Sequence, residues 1–277
     1  MPELPEVESV RLGLEPILGA QISHVDWNYP NLWNKESLPP ELLEGQHIHL
    51  MTRKGKYLIL HTEDFQLLVH LGMSGVLLLQ DPADEARAHT HLQIELKKSS
   101  SKQPNISQIV RYSDPRKFGH LHLAHQGESF KRWDKLGPDA ISRQFTSTYY
   151  FSKTQNSIRD IKVYLLNQEV VAGVGNIYAS EALYRSGIHP SRAASSLNLE
   201  EVTLLVKAIK WILKKSIQNR GTTFSDYKLT NGKDGAFQGF LKIFQKEGQT
   251  CPGCRSTTIM KMEQDKRSTF YCPTCQI

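Results

Sequence analysis

The residues of this sequence best suited to chemistry are four cysteines near its end and an acidic, proline-rich N-terminus. The cysteines form two CxxC pairs, Cys251 with Cys254 and Cys272 with Cys275, separated by seventeen residues. Pairs separated by about 15–20 residues are typical of zinc sites, because each tight turn supplies two thiolates and a hairpin brings the turns together. Four protein ligands leave no open position for water, so this spacing predicts one structural Zn²⁺ ion and no catalytic metal.

Two disulfides are the alternative for these cysteines, and they form in oxidising compartments. The N-terminus lacks the basic-then-apolar order of a signal peptide. No run approaches the ~20 apolar residues of a membrane span. We therefore expect a cytoplasmic protein with zinc-bound thiolates and no membrane partner.

The chain begins MPELPEVESV, in which Pro2 and Pro5 alternate with Glu3, Glu6 and Glu8. One interpretation is helix chemistry, because proline is tolerated in the first turn and acidic side chains suit the positive end of the helix dipole. The other interpretation is a reactive N-terminus, in which a proline amine beside carboxylic acids acts as a nucleophile. This stretch alone does not decide between the two.

The composition is that of a soluble globular protein. The chain has 277 residues, 39% of them hydrophobic and 22% charged, which suits one large domain or two medium ones. A formal net charge of +6 permits a nucleic-acid partner but does not prove one. The charge is unevenly spread, since the N-terminal region is acidic and residues 207–246 are rich in lysine.

The elements that must position these residues change type along the chain. Residues 4–18 carry apolar side chains at helical spacing, and Gly19 is a plausible stop. Short apolar runs with turn signals between them follow over residues 21–125, and this pattern predicts a β-rich domain of the sandwich type. The polar stretch 99–105 is predicted to be a hairpin loop.

Helical signals come after a linker. Two capping-box patterns, Ser157 with Asp160 and Asn198 with Glu201, each predict the start of a helix. The apolar faces expected after them comprise Ile158, Ile161 and Leu165 in the first helix and Leu199, Val202, Leu205, Ile209 and Ile212 in the second.

A glycine turn, Gly173-Val-Gly175-Asn176, lies between helical segments. A dinucleotide site would need a third glycine and a preceding strand, and both are missing here. Backbone N–H groups at such a turn can bind a phosphate. An ordinary connection between two helices is the alternative, and this stretch alone favours it.

Several motifs occur together in a fixed order: PELPEVE, RKGKYL, HLGMSG, SDPRKFG, GVGNIYASEAL, GIHP, RGTTFSDY and the paired CxxC end. In this combination the chain resembles bacterial formamidopyrimidine-DNA glycosylases, also called 8-oxoguanine DNA glycosylases, over nearly its whole length. Each motif is weak alone, and their joint occurrence is highly specific.

The resemblance implies an α+β fold that binds damaged double-stranded DNA in a cleft between two domains. An N-terminal β-sandwich with an N-terminal helix is expected over 1–130 and a linker over 131–144. A helix–two-turn–helix domain is expected over 145–235 and a zinc-finger β-hairpin over 236–277. A monomer associated with the bacterial nucleoid is expected.

The resemblance also assigns catalytic residues. After removal of the initiating methionine, Pro2 would attack the sugar C1′, expel the damaged base and form a Schiff base that permits β,δ-elimination. Glu3 would assist opening of the sugar ring, and Glu6 would order the N-terminus and shuttle protons. Lys56 would contact phosphate and assist β-elimination, and Arg267 would aid the δ step.

The remaining residues implied by the resemblance contact DNA. Met73 would fill the gap left by the everted nucleotide, Arg116 would face the orphaned cytosine, and Phe118 would wedge the base stack. Such apolar wedges make eversion less costly. The other DNA-binding positions are His89, Lys162 and Asn176.

The chain departs from the family pattern at Asn167, where the family has aspartate, and at Lys266, where it has glycine. These departures bear on hairpin geometry and phosphate binding and leave the N-terminal chemistry intact.

Two other functions remain open. An endonuclease VIII-like enzyme for oxidised pyrimidines would begin PEGPE and lack the wedge pattern, whereas Leu4 and HLGMSG favour the purine enzyme. A catalytically silent DNA-damage-binding protein is disfavoured by the presence of Pro2, Glu3, Glu6 and Lys56.

Overall fold

Helix α1 (Leu4–Gly13) is the first element of the computed structural model. The apolar face predicted for this segment is buried, and it comprises Val7, Val10, Leu14 and Ile17. A 3₁₀ turn (Glu15–Ile17) extends the helix. Gly19 follows with φ of +80°, a left-handed conformation that favours glycine and ends the segment where the sequence predicts.

The described part of the chain, residues 1–100, 103–223 and 228–277, divides into two units. One unit is made of Met1–Asp134 and Asn219–Ala236, and the other of Lys135–Gln218 and Phe237–Ile277. Residues 219–235 are expected from the sequence in the helical domain, whereas their described part lies in the first unit.

The first unit is a sandwich of two antiparallel four-stranded sheets, as predicted. Its strands are β1 (Gln21–Trp27), β2 (Leu50–Lys54), β3 (Tyr57–His61), β4 (Phe65–His70), β5 (Val76–Gln80), β6 (Thr90–Ser100), β7 (Gln103–Ser113) and β8 (His120–His125). One sheet has the order β1-β6-β7-β5 and the other β2-β3-β4-β8. Buried side chains from both sheets and from α1 share one hydrophobic core. The short helix α2 (Lys131–Asp134) ends this part of the chain.

Two features of the sheets differ from the sequence expectation. Strand β1 has no apolar run, because a bulge between Ile22 and His24 interrupts the alternation of buried and exposed residues. The stretch 99–105 is not all loop, since β6 and β7 pair as far as Ser100 and Gln103. Backbone pairing does not require apolar side chains, so the polar composition gave no strand signal there.

The second unit contains four helices in its described part. They are α3 (Ser147–Thr154), α4 (Ile161–Leu165), α5 (Asn176–Ser186) and α6 (Leu199–Gln218). A hairpin of β9 (Met260–Gln264) and β10 (Arg267–Tyr271) follows. Helix α6 packs against α3 and α5, and α5 also packs against β10.

One of the two predicted helix starts is confirmed. The Glu201 N–H donates to Asn198 Oδ1 and the Asn198 N–H donates to Glu201 Oε2, both at 2.9 Å, which is a capping box at the start of α6. The predicted apolar face of α6 is buried apart from Leu199, which is about half exposed.

The other predicted start is wrong. Helix α4 begins at Ile161, and Ile158 is 90% exposed. The Ile161 N–H donates to the carbonyl of Arg192 at 2.7 Å. A tertiary contact, and not the local Ser157–Asp160 pattern, therefore sets where this helix begins.

Candidate active site and nucleic-acid interface

The acidic N-terminus is buried and ordered by reciprocal hydrogen bonds. The Glu3 N–H donates to Glu6 Oε2 at 2.9 Å, and the Glu6 N–H donates to the Glu3 side chain, so the two acids form the capping box of α1. Both glutamates are 2% exposed, and Pro2 is buried beside them. Helix chemistry therefore explains the acids, and the same arrangement places two carboxylates next to the candidate nucleophile.

The second oxygen of Glu6 is bound from far along the chain. Glu6 Oε1 accepts the Thr222 N–H at 2.8 Å. The preceding Gly221 has φ of +79°, and a Cβ there would lie 2.9 Å from Glu6 Oε1. Only glycine fits this close approach in this conformation. The rest of the RGTTFSDY motif, 224–227, lies outside the described residues.

Lys56 lies in the turn between β2 and β3 and is 6% exposed. The nearby Lys54 donates a hydrogen bond to the carbonyl of Trp133 at 3.5 Å. His70 lies at the end of β4. Its pKa is lowered to about 4, first by burial and then by the positive charges of Lys56, His120 and Arg132. His70 is a partly buried residue beside Lys56 that the sequence did not single out. The only signal for it is its place at the start of HLGMSG.

The structure brings the three predicted wedge residues together. Met73 is 41% exposed and Phe118 is 60% exposed, so both apolar side chains reach solvent from turns. An Arg116 Nη1 lies 4.0 Å from Met73 Sδ. A Cβ on Gly72 would come within 2.4 Å of the Phe118 carbonyl carbon, so the two turns touch backbone to backbone. Exposed apolar side chains beside an arginine suit insertion into a base stack.

His89 is exposed and adopts φ of +63°, an uncommon conformation outside glycine. Its predicted contact with DNA stays a prediction. Its carbonyl accepts a hydrogen bond from the segment that precedes Arg116, because the Asp114 N–H lies 3.0 Å away.

Lys162 and Asn176 lie together in the second unit. The Lys162 ammonium donates to Asn176 Oδ1 and Thr269 Oγ1 at 2.6 Å each and to the Ser268 carbonyl at 3.3 Å. The Asn176 amide also donates to the Ser268 carbonyl, at 3.0 Å. Lys162 is fully buried, so the structure gives it a role in binding the hairpin to α4 and α5, and its phosphate contact stays a prediction. Arg267, next to Ser268, is exposed.

The hairpin turn tolerates the family departure at Lys266. Gln264 pairs with Arg267, which leaves a two-residue loop of Asp265 and Lys266 with φ of +49° and +57°. These values are those of a type I′ turn, in which both central residues have positive φ. Lys266 therefore adopts the conformation that glycine favours, at a cost of about 1–2 kcal/mol.

The cysteine cluster fits the predicted zinc ion. The four Sγ atoms lie within 4.8 Å of one another, with 3.8 Å between Cys251 and Cys275 and 3.7 Å between Cys254 and Cys272. A tetrahedron with Zn–S bonds of about 2.3 Å has edges of about 3.8 Å, whereas a disulfide would need about 2.05 Å.

Comparison with known proteins agrees with each part of this architecture. The formamidopyrimidine-DNA glycosylase N-terminal domain matches residues 1–121, and the H2TH domain of the same enzymes matches residues 136–228. The zinc finger found in FPG and IleRS matches residues 248–277. A sandwich, a helix–two-turn–helix region and a four-cysteine hairpin define a zinc-finger DNA glycosylase of base-excision repair.

The chain belongs to the formamidopyrimidine-DNA glycosylase family. It is 39% identical to the formamidopyrimidine-DNA glycosylase of Haemophilus ducreyi, covering 100% of this chain and 98% of that one. It is 40% identical to that of Vibrio vulnificus (strain YJ016), covering 100% of both. Its activity is accordingly that of a glycosylase for oxidised purines in DNA, with the abasic-site lyase activity characteristic of the family, and it holds one structural zinc ion.

Solved structures give the same result. A complex of Lactococcus lactis Fpg with DNA containing an abasic site superposes with a TM-score of 0.87, 33% identity and 99% coverage of both chains. MutM (Fpg) from Thermus thermophilus superposes with a TM-score of 0.86 and 34% identity, covering 99% of this chain and 98% of that one. Among the residues described here, no helix is long and apolar enough to span a membrane.

Proposed function

We propose that the Pro2 amine, once Met1 is removed, is the nucleophile of a combined glycosylase and lyase reaction on oxidised purines in duplex DNA. The observation that supports this proposal best is the buried pair Glu3 and Glu6 beside Pro2. The Glu3 carboxylate accepts the Glu6 N–H, and the Glu6 carboxylate accepts the N–H groups of Glu3 and of the distant Thr222. A nucleophile needs such adjacent acid–base groups because the amine and the leaving groups exchange protons as the reaction proceeds.

The proposed steps begin at the sugar. The Pro2 nitrogen bonds to C1′, the bond from C1′ to the base breaks, and the proton lost by the Pro2 nitrogen passes to the departing base. Glu3 protonates the ring oxygen as its bond to C1′ breaks, and an iminium between Pro2 and the opened sugar remains. The iminium acidifies the neighbouring hydrogens of the sugar, so the phosphates on its 3′ and then its 5′ side can be eliminated.

The other predicted site residues take supporting roles in this proposal. Lys56 and Arg267 assist the two eliminations, and Met73, Arg116 and Phe118 replace and read the everted nucleotide. The close grouping of these last three favours the purine enzyme over an endonuclease VIII-like alternative, which lacks the pattern.

The decisive experiment compares mature protein with a form that retains Met1, verified by mass spectrometry. In the retained form the Pro2 nitrogen is an amide and cannot attack. The mature form should excise 8-oxoguanine opposite cytosine and give a borohydride-trapped adduct at Pro2. The Met1 form should bind the lesion and give neither product. Excision at the mature rate by the Met1 form, or an adduct that maps to Lys56, would show that the mechanism is wrong.

A matched pair of variants separates acid catalysis from the general effect of removing a carboxylate from α1. Glu3→Gln should lose base excision and still nick a preformed abasic site. Glu8→Gln is the control, because Glu8 lies on the same helix and forms ion pairs with Arg11 and Arg53 at 2.9 and 2.7 Å. It should retain both activities.

The chain also acts as a monomer on nucleoid DNA in this proposal, as suits a bacterial repair enzyme that searches a chromosome. Light scattering on the protein with and without a lesion duplex tests this part. One chain per duplex is expected, and two chains would contradict it.

A further inference from the structure

The buried carboxylate of Asp114 accepts hydrogen bonds from two turns, the turn that carries Met73 and the turn that carries Arg116 and Phe118. Asp114 is fully buried. Its Oδ1 accepts the Ser74 hydroxyl at 2.6 Å, and its Oδ2 accepts the Gly119 N–H at 2.7 Å and the Tyr112 hydroxyl at 3.2 Å. Ser74 directly follows Met73, and Gly119 directly follows Phe118. One carboxylate thus joins two turns that are about forty residues apart in sequence.

The main chain around Asp114 extends this linkage. The Asp114 N–H donates to the His89 carbonyl at 3.0 Å, and the Arg116 N–H donates to Ser74 Oγ at 3.3 Å. The Ser74 hydroxyl therefore donates to Asp114 and accepts from Arg116. Three separate segments with predicted DNA contacts, at 73, 89 and 116–118, converge on this one residue.

Glycines allow the turns to come this close. A Cβ on Gly75 would lie 2.5 Å from the Tyr112 hydroxyl, and one on Gly119 would lie 1.7 Å from it. Because neither position carries a side chain, the two turns approach closely enough for hydrogen bonds to cross between them.

We propose that Asp114 is a positioning residue for base eversion, which keeps the Met73 turn and the 116–118 turn as one rigid unit. This inference rests on the proposed function, because it takes Met73, Arg116 and Phe118 as the side chains that enter the duplex. Loops that are ordered before binding lose less conformational entropy when DNA opens. The carboxylate acts through these side chains and touches no reacting atom.

Ser74→Ala and Asp114→Asn both weaken the link between the turns. Ser74→Ala removes the bridging hydroxyl with little change in volume. Asp114→Asn leaves one acceptor oxygen, so the side chain can no longer accept the Ser74 hydroxyl on one atom and the Gly119 N–H on the other. Tyr112→Phe is the matched control, because it removes a bond to the same carboxylate from the core strand β7 and leaves the link between the turns intact.

Two rates are compared under single-turnover conditions. Excision of 8-oxoguanine from duplex should fall about tenfold in Ser74→Ala and Asp114→Asn, because a buried polar group loses its partner. Cleavage of an abasic site in single-stranded DNA, which needs no eversion, should stay within about twofold of wild type. Discrimination among bases opposite the lesion should also weaken. Tyr112→Phe should keep the wild-type ratio of the two rates even if it melts earlier.

A second background, besides wild type, separates this inference from the function on which it rests. Ser74→Ala is repeated in a protein whose Met73, Arg116 and Phe118 are all alanine. No further loss of duplex excision is expected there, since the side chains that Asp114 positions are gone. An equal loss in both backgrounds, or no loss in either, overturns the role of Asp114. Normal duplex excision by the triple-alanine protein itself overturns the proposed wedge. If Asp114→Asn does not fold, Ser74→Ala alone decides.

Discussion

Lys162 and Thr269 are separated by 107 residues in sequence, and the buried ammonium of one donates to the hydroxyl of the other at 2.6 Å. This bond fastens strand β10 of the zinc hairpin to helix α4. A second bond of the same length, to Asn176, fastens the start of α5 to the same point. The exposed Arg267 is two residues from Thr269, so Lys162 fixes the strand that carries this predicted phosphate contact.

Lys162→Met and Arg267→Ala should therefore fail in different ways. Lys162→Met leaves Asn176 Oδ1 and Thr269 Oγ1 without their donor, while the Ser268 carbonyl keeps the Asn176 amide, and it should lower stability by about 1–3 kcal/mol. Arg267→Ala should melt like wild type and lower the slope of log affinity against log salt by about one. Thermal denaturation and salt titrations of duplex binding measure both. Lys153→Ala, an exposed lysine on α3, is the control and should change neither; an unchanged slope in Arg267→Ala would remove it from the phosphate contacts.

Cys254→Ser should lose the zinc ion, because three thiolates and a hydroxyl no longer match the ligand set. The β9–β10 hairpin should then lose amide protection in hydrogen exchange, while strands of the first unit keep theirs. Metal analysis gives the zinc content, and Pro252→Ala in the same knuckle should retain one ion. Wild-type protein that purifies without zinc and binds duplex normally would contradict this role.

Gly221→Ala and Gly232→Ala test the contact at Glu6. Both glycines have left-handed φ, +79° and +77°, so each change should cost about 1 kcal/mol in backbone strain. Only at Gly221 would the new Cβ meet Glu6, since at Gly232 the nearest atom is 4.0 Å away. Excision should fall about tenfold in Gly221→Ala alone, for the loss of one hydrogen bond to a buried carboxylate. Equal excision activity of the two variants would argue against a role for the Glu6 carboxylate in the reaction.

Met73→Ala should slow excision from duplex by about tenfold or more, because eversion costs a few kcal/mol that the inserted side chain offsets. Its affinity for undamaged duplex should change little. Leu42→Ala is matched in exposure, 42% against 41%, and should behave as wild type. If Met73→Ala excises at the wild-type rate, Met73 does not fill the gap left by the everted nucleotide.

Stability should fall as the pH drops from about 6.5 toward 4. Burial lowers the folded pKa of His70 and that of His120 from 6.5 to about 4, so in this range the unfolded chain binds more protons than the folded one. Their contribution is complete above pH 6.5 and is lost as pH falls through the folded pKa. His70→Gln should flatten the dependence of melting temperature on pH, and His125→Gln, exposed on the same sheet, should not. A parallel curve for His70→Gln would refute this.

Local patterns in the sequence predicted local structure well. The spacing of Cys251 to Cys275 and the Asn198–Glu201 box are satisfied by neighbours a few residues away or by a single hairpin, and both are confirmed. The predicted start of α4 was wrong because the Ile161 N–H donates to the carbonyl of Arg192, which is distant in sequence. Strand β1 lies within the predicted β-rich region, but its bulge breaks the alternation on which strand prediction depends.

The candidate site was less predictable because its partners are remote. Nothing near Glu6 in the sequence indicates that its carboxylate binds the Thr222 N–H. The burial of Lys162 and the convergence of three turns on Asp114 likewise need the fold. Sequence motifs identified which residues belong together, and only tertiary structure says which of them reach solvent.

The discontinuous first unit has a consequence for synthesis. Its sandwich is encoded before residue 135, but 219–236 emerges from the ribosome only after all of α6. A nascent chain can therefore build its sheets while Glu6 still lacks the Thr222 donor. The segment around Pro2 is translated before the sheets, but its last hydrogen bond forms only after residue 222 has been made. A polypeptide terminated before that point would carry the proline amine beside a Glu6 carboxylate that lacks one of its two backbone donors.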